Sequence, residues 1–97
     1  MVIRILDHVE RCSTYADGNT IFELIAPLIE AGKDVTLSFE GIDAVPSSFI
    51  NASVVRLVEK VPLLEIKKRL KVIDSTRQIN ELIRGRIAFL ESAKPTP

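Results

Sequence analysis

The chain has 97 residues, 46% of them apolar, and its 13 Lys/Arg balance 13 Asp/Glu. That length builds one core and not two, and the composition excludes a disordered chain. No apolar run approaches the roughly 18–20 residues that cross a bilayer, and no signal peptide is read at the start. The lone cysteine, Cys12, excludes an internal disulfide, so the expectation is a soluble cytoplasmic protein.

The zero balance hides a division. Residues 1–48 carry three Lys/Arg and eight Asp/Glu, net −5, while residues 49–97 carry ten and five, net +5. Such polarity steers a partner or favours head-to-tail self-association, making a homo-oligomer one expectation. The alternative is that both sets are solvated on different faces.

In chain order, Val2–Leu6 reads as a first strand, with Ile3 and Ile5 on one face and Arg4 on the other. Asp7–Tyr15 is polar and irregular, with room for a short strand near Arg11–Tyr15. Asp17-Gly-Asn-Thr supplies cap candidates for a helix to about Ala31, whose apolar stripe is Ile21, Leu24, Ile25, Leu28 and Ile29. Gly32 ends it, and Pro27 inside it predicts a kink or break. Val35–Phe39 alternates as a second strand, with Val35, Leu37 and Phe39 inward and Thr36 and Ser38 outward. A helix from Ser47-Ser48 to about Val61 is expected to bury Ile50, Val54, Leu57, Val58 and Val61, with Pro62 as its stop. Leu70–Ile73 is a further strand, Leu70 and Val72 inward and Lys71 outward. Ser75 or Thr76 caps a last helix with the stripe Ile79, Leu82, Ile83, Ile87 and Leu90. From Ala93 the chain is expected to fray.

Each strand keeps polar residues on one face: Arg4, Thr36 with Ser38, and Lys71. A sheet covered on both sides would read as near-continuous apolar strands. The expected fold is therefore an α/β open sandwich, a small, mostly parallel or mixed sheet with helices mainly on one face.

The strand Val35–Phe39, the turn Phe39-Glu-Gly-Ile42 and the helix start Ser47-Ser-Phe49, followed by Asn51-Ala52, resemble the STAS-like family of small bacterial proteins. That family is related to the STAS domain of anti-sigma factor antagonists, and the resemblance spans roughly residues 2–90. It implies a single STAS-like domain over 1–93, with 94–97 as a flexible tail. It also implies a non-catalytic regulatory, protein-binding module. In the antagonists, a serine at the start of the corresponding helix is phosphorylated by a serine kinase of the GHKL ATPase fold. Carried over by position, Ser47 is the acceptor and Ser48 its neighbour, and the partner is a GHKL-type ATPase or kinase met through the second helix. Pro46 stands where the antagonists have Asp, and Phe49 where they have Gly.

The residues themselves allow two readings of the serines. A hydroxyl at a helix start caps it, typically for ~1 kcal/mol, and a phosphate there meets the positive end of the dipole. Glu40 and Asp43 in the preceding turn oppose that phosphate. Phe49 falls on the polar side of the wheel beside Ser53, Arg56 and Lys60, where an aromatic looks like a protein-binding anchor. Alternatively the first turn bends it back over the strand ends. The expected partner surface is Asp43, Ser47, Ser48, Phe49, Ser53 and Arg56.

The rival reading is a small nucleic-acid-associated protein using Lys67-Lys68-Arg69, Lys71, Arg77 and Arg84. No aromatics interleave with these, so a solvated approach to the third strand explains them better. Enzyme chemistry finds little footing. His8 and Cys12 are alone of their kind, which rules out a His/Cys metal cluster and leaves only a His8–Cys12 nucleophile pair. No cofactor motif is present. Asp17-Gly-Asn19 reads as turn and cap chemistry.

Overall fold

A computed structural model of the protein describes residues 1–92. Three strands, β1 (Val2–Arg4), β2 (Val35–Ser38) and β3 (Leu70–Ile73), form a parallel sheet in the order β1-β2-β3. Four α-helices accompany them: α1 (Tyr15–Glu30), α2 (Ser47–Ser53), α3 (Leu63–Arg69) and α4 (Arg77–Ser92). Sequential strands are neighbours, so right-handed crossovers bring α1 and the α2–α3 segment to the same side of the sheet. This is the expected open α/β arrangement. The expectation of a frayed tail from Ala93 concerns residues outside the described range.

The register sorts the strand residues into rows. Ile3, Leu37 and Val72 form a row under the helices, while Val2, Thr36 and Lys71 form one on the open face. Arg4, Ser38 and Ile73 form the second open-face row. The core beneath the helices gathers Ile5, Ile21, Ile25, Val35, Leu37, Phe39, Phe49, Ile50, Leu57 and Ile79, all with no exposure. Among the described residues, no helix is long and apolar enough to cross a membrane.

Several local expectations are corrected. β1 ends at Arg4, and Ile5–Asp7 coils into a 3-10 turn that still buries Ile5. No strand forms at Arg11–Tyr15. Instead, Thr14 caps α1 in a reciprocal box with Asp17: the Thr14 hydroxyl accepts from the Asp17 amide (3.1 Å), and the Asp17 carboxylate accepts from the Thr14 amide (3.2 Å). That moves the helix start ahead of the Asp17–Thr20 cap candidates. Pro27 does not break α1, which runs continuously from Tyr15 to Glu30 with the proline exposed and Ile25, Ala26 and Ile29 buried around it. The helix ends at Glu30 with Ala31 as its cap, and Gly32 (φ 81°) turns the chain away, with Lys33 N–H on the Leu28 carbonyl (3.0 Å) and Gly32 N–H on that of Ile29 (2.9 Å).

The long helix expected from Ser47 to Val61 is in fact two pieces. α2 stops at Ser53, whose hydroxyl donates back to the Phe49 carbonyl (2.8 Å), a bond that competes with helix continuation. A tighter 3-10 stretch, Val55–Glu59, follows. Its faster angular advance buries Leu57 but turns Val58 outward to 38% exposure, contrary to expectation. Pro62 then starts rather than merely ends a helix: it stands before α3, which the apolar pattern does not reveal. In α4 only Ile79 is fully buried, and Leu82, Ile83, Ile87 and Leu90 are half-buried. The Thr76 hydroxyl accepts from the Ile79 amide (3.4 Å), as expected of a capping residue there.

Candidate functional site

The segment between β2 and α2 starts with a four-residue turn, Phe39–Ile42, closed by the Ile42 amide on the Phe39 carbonyl (2.9 Å). Gly41 sits at φ 84°, a left-handed conformation that other residues adopt at a cost. Ile42 and Val45 are buried and tack the segment to the core, leaving Asp43 and Ala44 exposed between them. From the other side the start of α4 grips it. The Thr76 hydroxyl donates to the Asp43 carbonyl (2.7 Å). The Gln78 carboxamide donates to the Val45 carbonyl (3.0 Å) and accepts from the Val45 amide (3.2 Å).

Ser47 and Ser48 are not caps. The N-cap of α2 is Pro46 (φ −77°, ψ 160°), which has no side-chain acceptor to offer, and the serines occupy the first two helical positions. Proline's fixed φ and missing N–H suit this place, so the boundary falls one residue earlier than the serine pair suggests. Ser47 is exposed and Ser48 half-buried.

Phe49 and Ser53 leave the expected surface altogether, both with no exposure. The helical wheel turns Phe49 well away from Val54, but α2 has two burying neighbours. α1 packs against it at Gly18, beside Phe49 and Ala52, and α4 also packs against it. Gly18 is what admits α1: a Cβ there would lie 2.5 Å from the Phe49 carbonyl oxygen and 2.8 Å from the Ala52 Cβ. Asp17-Gly-Asn19 therefore serves three separate purposes, namely Asp17 in the capping box, Gly18 in the close approach and Asn19 as a partner for Arg56.

Arg56 is half-buried and tied down rather than presented to a partner. Its guanidinium lies over the Phe22 ring, 4.2 Å from the centroid, donates to the Asn19 side-chain oxygen, and stands 3.9 Å from the Glu59 carboxylate. Of the six residues expected on the surface, Asp43, Ser47 and Ser48 come together there, and Phe49, Ser53 and Arg56 do not.

At the carboxyl ends of the strands, Arg4 pairs with Asp7 (2.8 Å) and Glu40 (3.1 Å). The hydrogen bonds it donates to Asp7 and then to Glu40 raise the Arg4 pKa above its ordinary value. Ser38, on the open-face side, is nonetheless only 4% exposed. It donates to the Asp74 carboxylate (2.9 Å) and accepts from the Glu40 amide (3.3 Å).

The other candidates are placed as follows. Cys12 is buried while His8 is exposed, and no hydrogen bond joins them among the described residues. Burial first, and then the charge of Asp17, push the Cys12 thiol up to about 11, so it carries no thiolate near neutral pH. No group of described His, Cys, Asp or Glu side chains is arranged to hold a metal ion. Lys67-Lys68-Arg69 leads directly into β3 at Leu70, as expected, and is also the last turn of α3, where cations complement the helix dipole. Lys67 pairs with Glu91 (3.1 Å), and Arg69 with Glu65 (2.8 Å), Asp34 (3.4 Å) and the Gly32 carbonyl (2.6 Å). Arg77 pairs with Glu81 (3.4 Å). Of the six cations of the rival reading, Lys67, Arg69 and Arg77 are engaged in ion pairs, and Lys68, Lys71 and Arg84 are exposed.

Comparison with known proteins returns one family. The model of the STAS-like domain of unknown function (DUF4325) matches residues 17–80, from the first turn of α1 to the first turn of α4. No curated protein and no solved structure matches the chain. The match covers more than half of the sequence and includes the whole segment from β2 through α2, and the chain belongs to the STAS-like domain family.

Proposed function

We propose that this protein is a non-catalytic regulatory module that binds a protein partner through the segment entering α2. The contact surface is Asp43, Ala44, Pro46, Ser47 and Ser48, narrower than the sequence suggests because Phe49 and Ser53 are buried and Arg56 is tied to α1. The observation carrying this reading is the exposed Ser47 at the first position of a helix whose cap is a proline. The first-turn amides there have no side-chain acceptor to compete with, and a phosphate on Ser47 or Ser48 gains ~0.3–1 kcal/mol from the helix dipole. By likeness to the anti-sigma factor antagonists, the partner is a GHKL-type ATPase or serine kinase, and phosphorylation releases it.

The test is capture from the native cells with tagged wild type, Ser48→Glu and Ser47→Glu, followed by mass spectrometry of prey and bait. A kinase-fold ATPase retained by wild type and lost from the Glu variants, with phosphate on Ser47 or Ser48, supports the proposal. Prey indifferent to both substitutions, with unmodified serines, overturns it.

A further inference from the structure

Gln78 lies 33 residues away from Val45 in sequence, yet its carboxamide makes both hydrogen bonds that a neighbouring strand residue would make to Val45. Val45 N–H reaches Gln78 Oε1 at 3.2 Å, and Val45 C=O receives Gln78 Nε2 at 3.0 Å. Two residues earlier in each segment, the Thr76 hydroxyl holds the Asp43 carbonyl at 2.7 Å. The backbone of residues 43–46 belongs to no helix or strand, so it has no ladder of its own to hold it. Three of its polar groups, the Asp43 carbonyl and both groups of Val45, are satisfied by the Thr76 and Gln78 side chains at the start of α4 instead, and the Pro46 carbonyl accepts from the Phe49 amide. A carboxamide matches Val45 in both directions at neutral pH because it carries a planar donor and acceptor side by side, an arrangement a carboxyl group offers only when protonated.

We infer that Gln78 is a positioning residue: with Thr76 it forms a latch from α4 that sets the conformation of segment 43–46 and thereby the presentation of Ser47 and Ser48. The functional consequence rests on the proposed binding surface; the latch itself does not. The latch makes α4 more than a lid over the core, since its docking determines the backbone path into α2.

The experiment compares backbone amide NMR spectra of the full chain as wild type, Gln78→Leu and Gln78→Glu. Removing both bonds in Gln78→Leu shifts the Val45, Ser47 and Ser48 amides and makes the Val45 amide exchange about 10-fold faster, while Leu37 in β2 keeps its protection. In Gln78→Glu near pH 7, the carboxylate still accepts from Val45 N–H but sets an oxygen against Val45 C=O. Lowering the pH through the range of an ordinary glutamate, about 4.3, protonates it and restores a donor beside an acceptor. The same three amides then return toward their wild-type positions in Gln78→Glu and do not in Gln78→Leu. Asp43 and the Arg77–Glu81 pair lie near the segment in every variant, and the wild-type titration reports their share.

Unchanged Val45, Ser47 and Ser48 amides in both variants would overturn the latch. So would a uniform loss of protection that includes Leu37, which marks general destabilisation, or a Gln78→Glu spectrum indifferent to pH beyond the wild-type response. These spectra involve no partner, so their outcome is separate from capture with Ser48→Glu: the latch survives a failure of the binding surface, and the surface survives a failure of the latch.

Discussion

Gly18 in α1 and Gly85 in α4 are both glycines inside 16-residue helices, and their surroundings are opposite. At Gly18 a Cβ would collide with the backbone of α2, 2.5 Å from the Phe49 carbonyl oxygen. At Gly85 it would meet nothing within 4 Å. The helix pairs differ accordingly. α1 and α2 meet backbone to backbone, sealed by Phe49, Ala52 and Ser53 without exposure. α3 and the far end of α4 are joined across the surface by Lys67 and Glu91, with Leu64 left 74% and Phe89 63% exposed. An exposed ion pair of this kind contributes roughly 0–1 kcal/mol. Stability is therefore concentrated on the α1–α2 side, next to the candidate site, and the far end of α4 adds little.

That contrast is breakable. The largest effect is expected from Phe49→Ala, which empties a fully enclosed site and costs about 3–5 kcal/mol in urea unfolding. A surface anchor would register within about 0.5 kcal/mol, so a small effect would contradict the close α1–α2 contact. Gly18→Ala comes next. Alanine is the better helix former by about 1 kcal/mol, yet the overlap with α2 should win, for a net loss of about 1–3 kcal/mol. Each kcal/mol lowers the melting temperature by roughly 4–8 °C in a chain of this size. Gly85→Ala should move the other way, raising stability by about 0.5–1 kcal/mol because only helix propensity changes. A loss there would mean that α4 touches something at Gly85. The smallest effects belong to Ser47→Ala and Ser48→Ala, each within about 0.5 kcal/mol, where a true cap would cost ~1 kcal/mol. Circular dichroism melts of the two serine variants decide between these values.

The alternation of Val35–Phe39 and Leu70–Ile73 was legible because Thr36, Ser38 and Lys71 put polar groups on the open face, although Ile73 shares that face and Ser38 is covered there. The first and last helices were legible from their stripes, and the family from short motifs around Gly41 and Ser47. Phe49 and Ser53 misled because a wheel assumes one burying direction, and α2 has two. The split of α2 was hidden for another reason: Val54, Leu57 and Val58 fit a helical period equally well until Ser53 bonds backward and the chain tightens. α3 was concealed by its basic last turn, whose charges read as surface although Arg69 is drawn inward by Asp34 and the Gly32 carbonyl.

The sequence by itself determined the class of fold, the order of its principal strands and helices, and the inward residues of the sheet, because these follow from periodicity along one element at a time. Which faces of α2 are closed, why Gly18 must lack a side chain, and how Gln78 holds Val45 were decided only by tertiary structure. Each of these depends on two segments more than 30 positions apart meeting at a distance set to a few tenths of an ångström, and no local pattern carries that information.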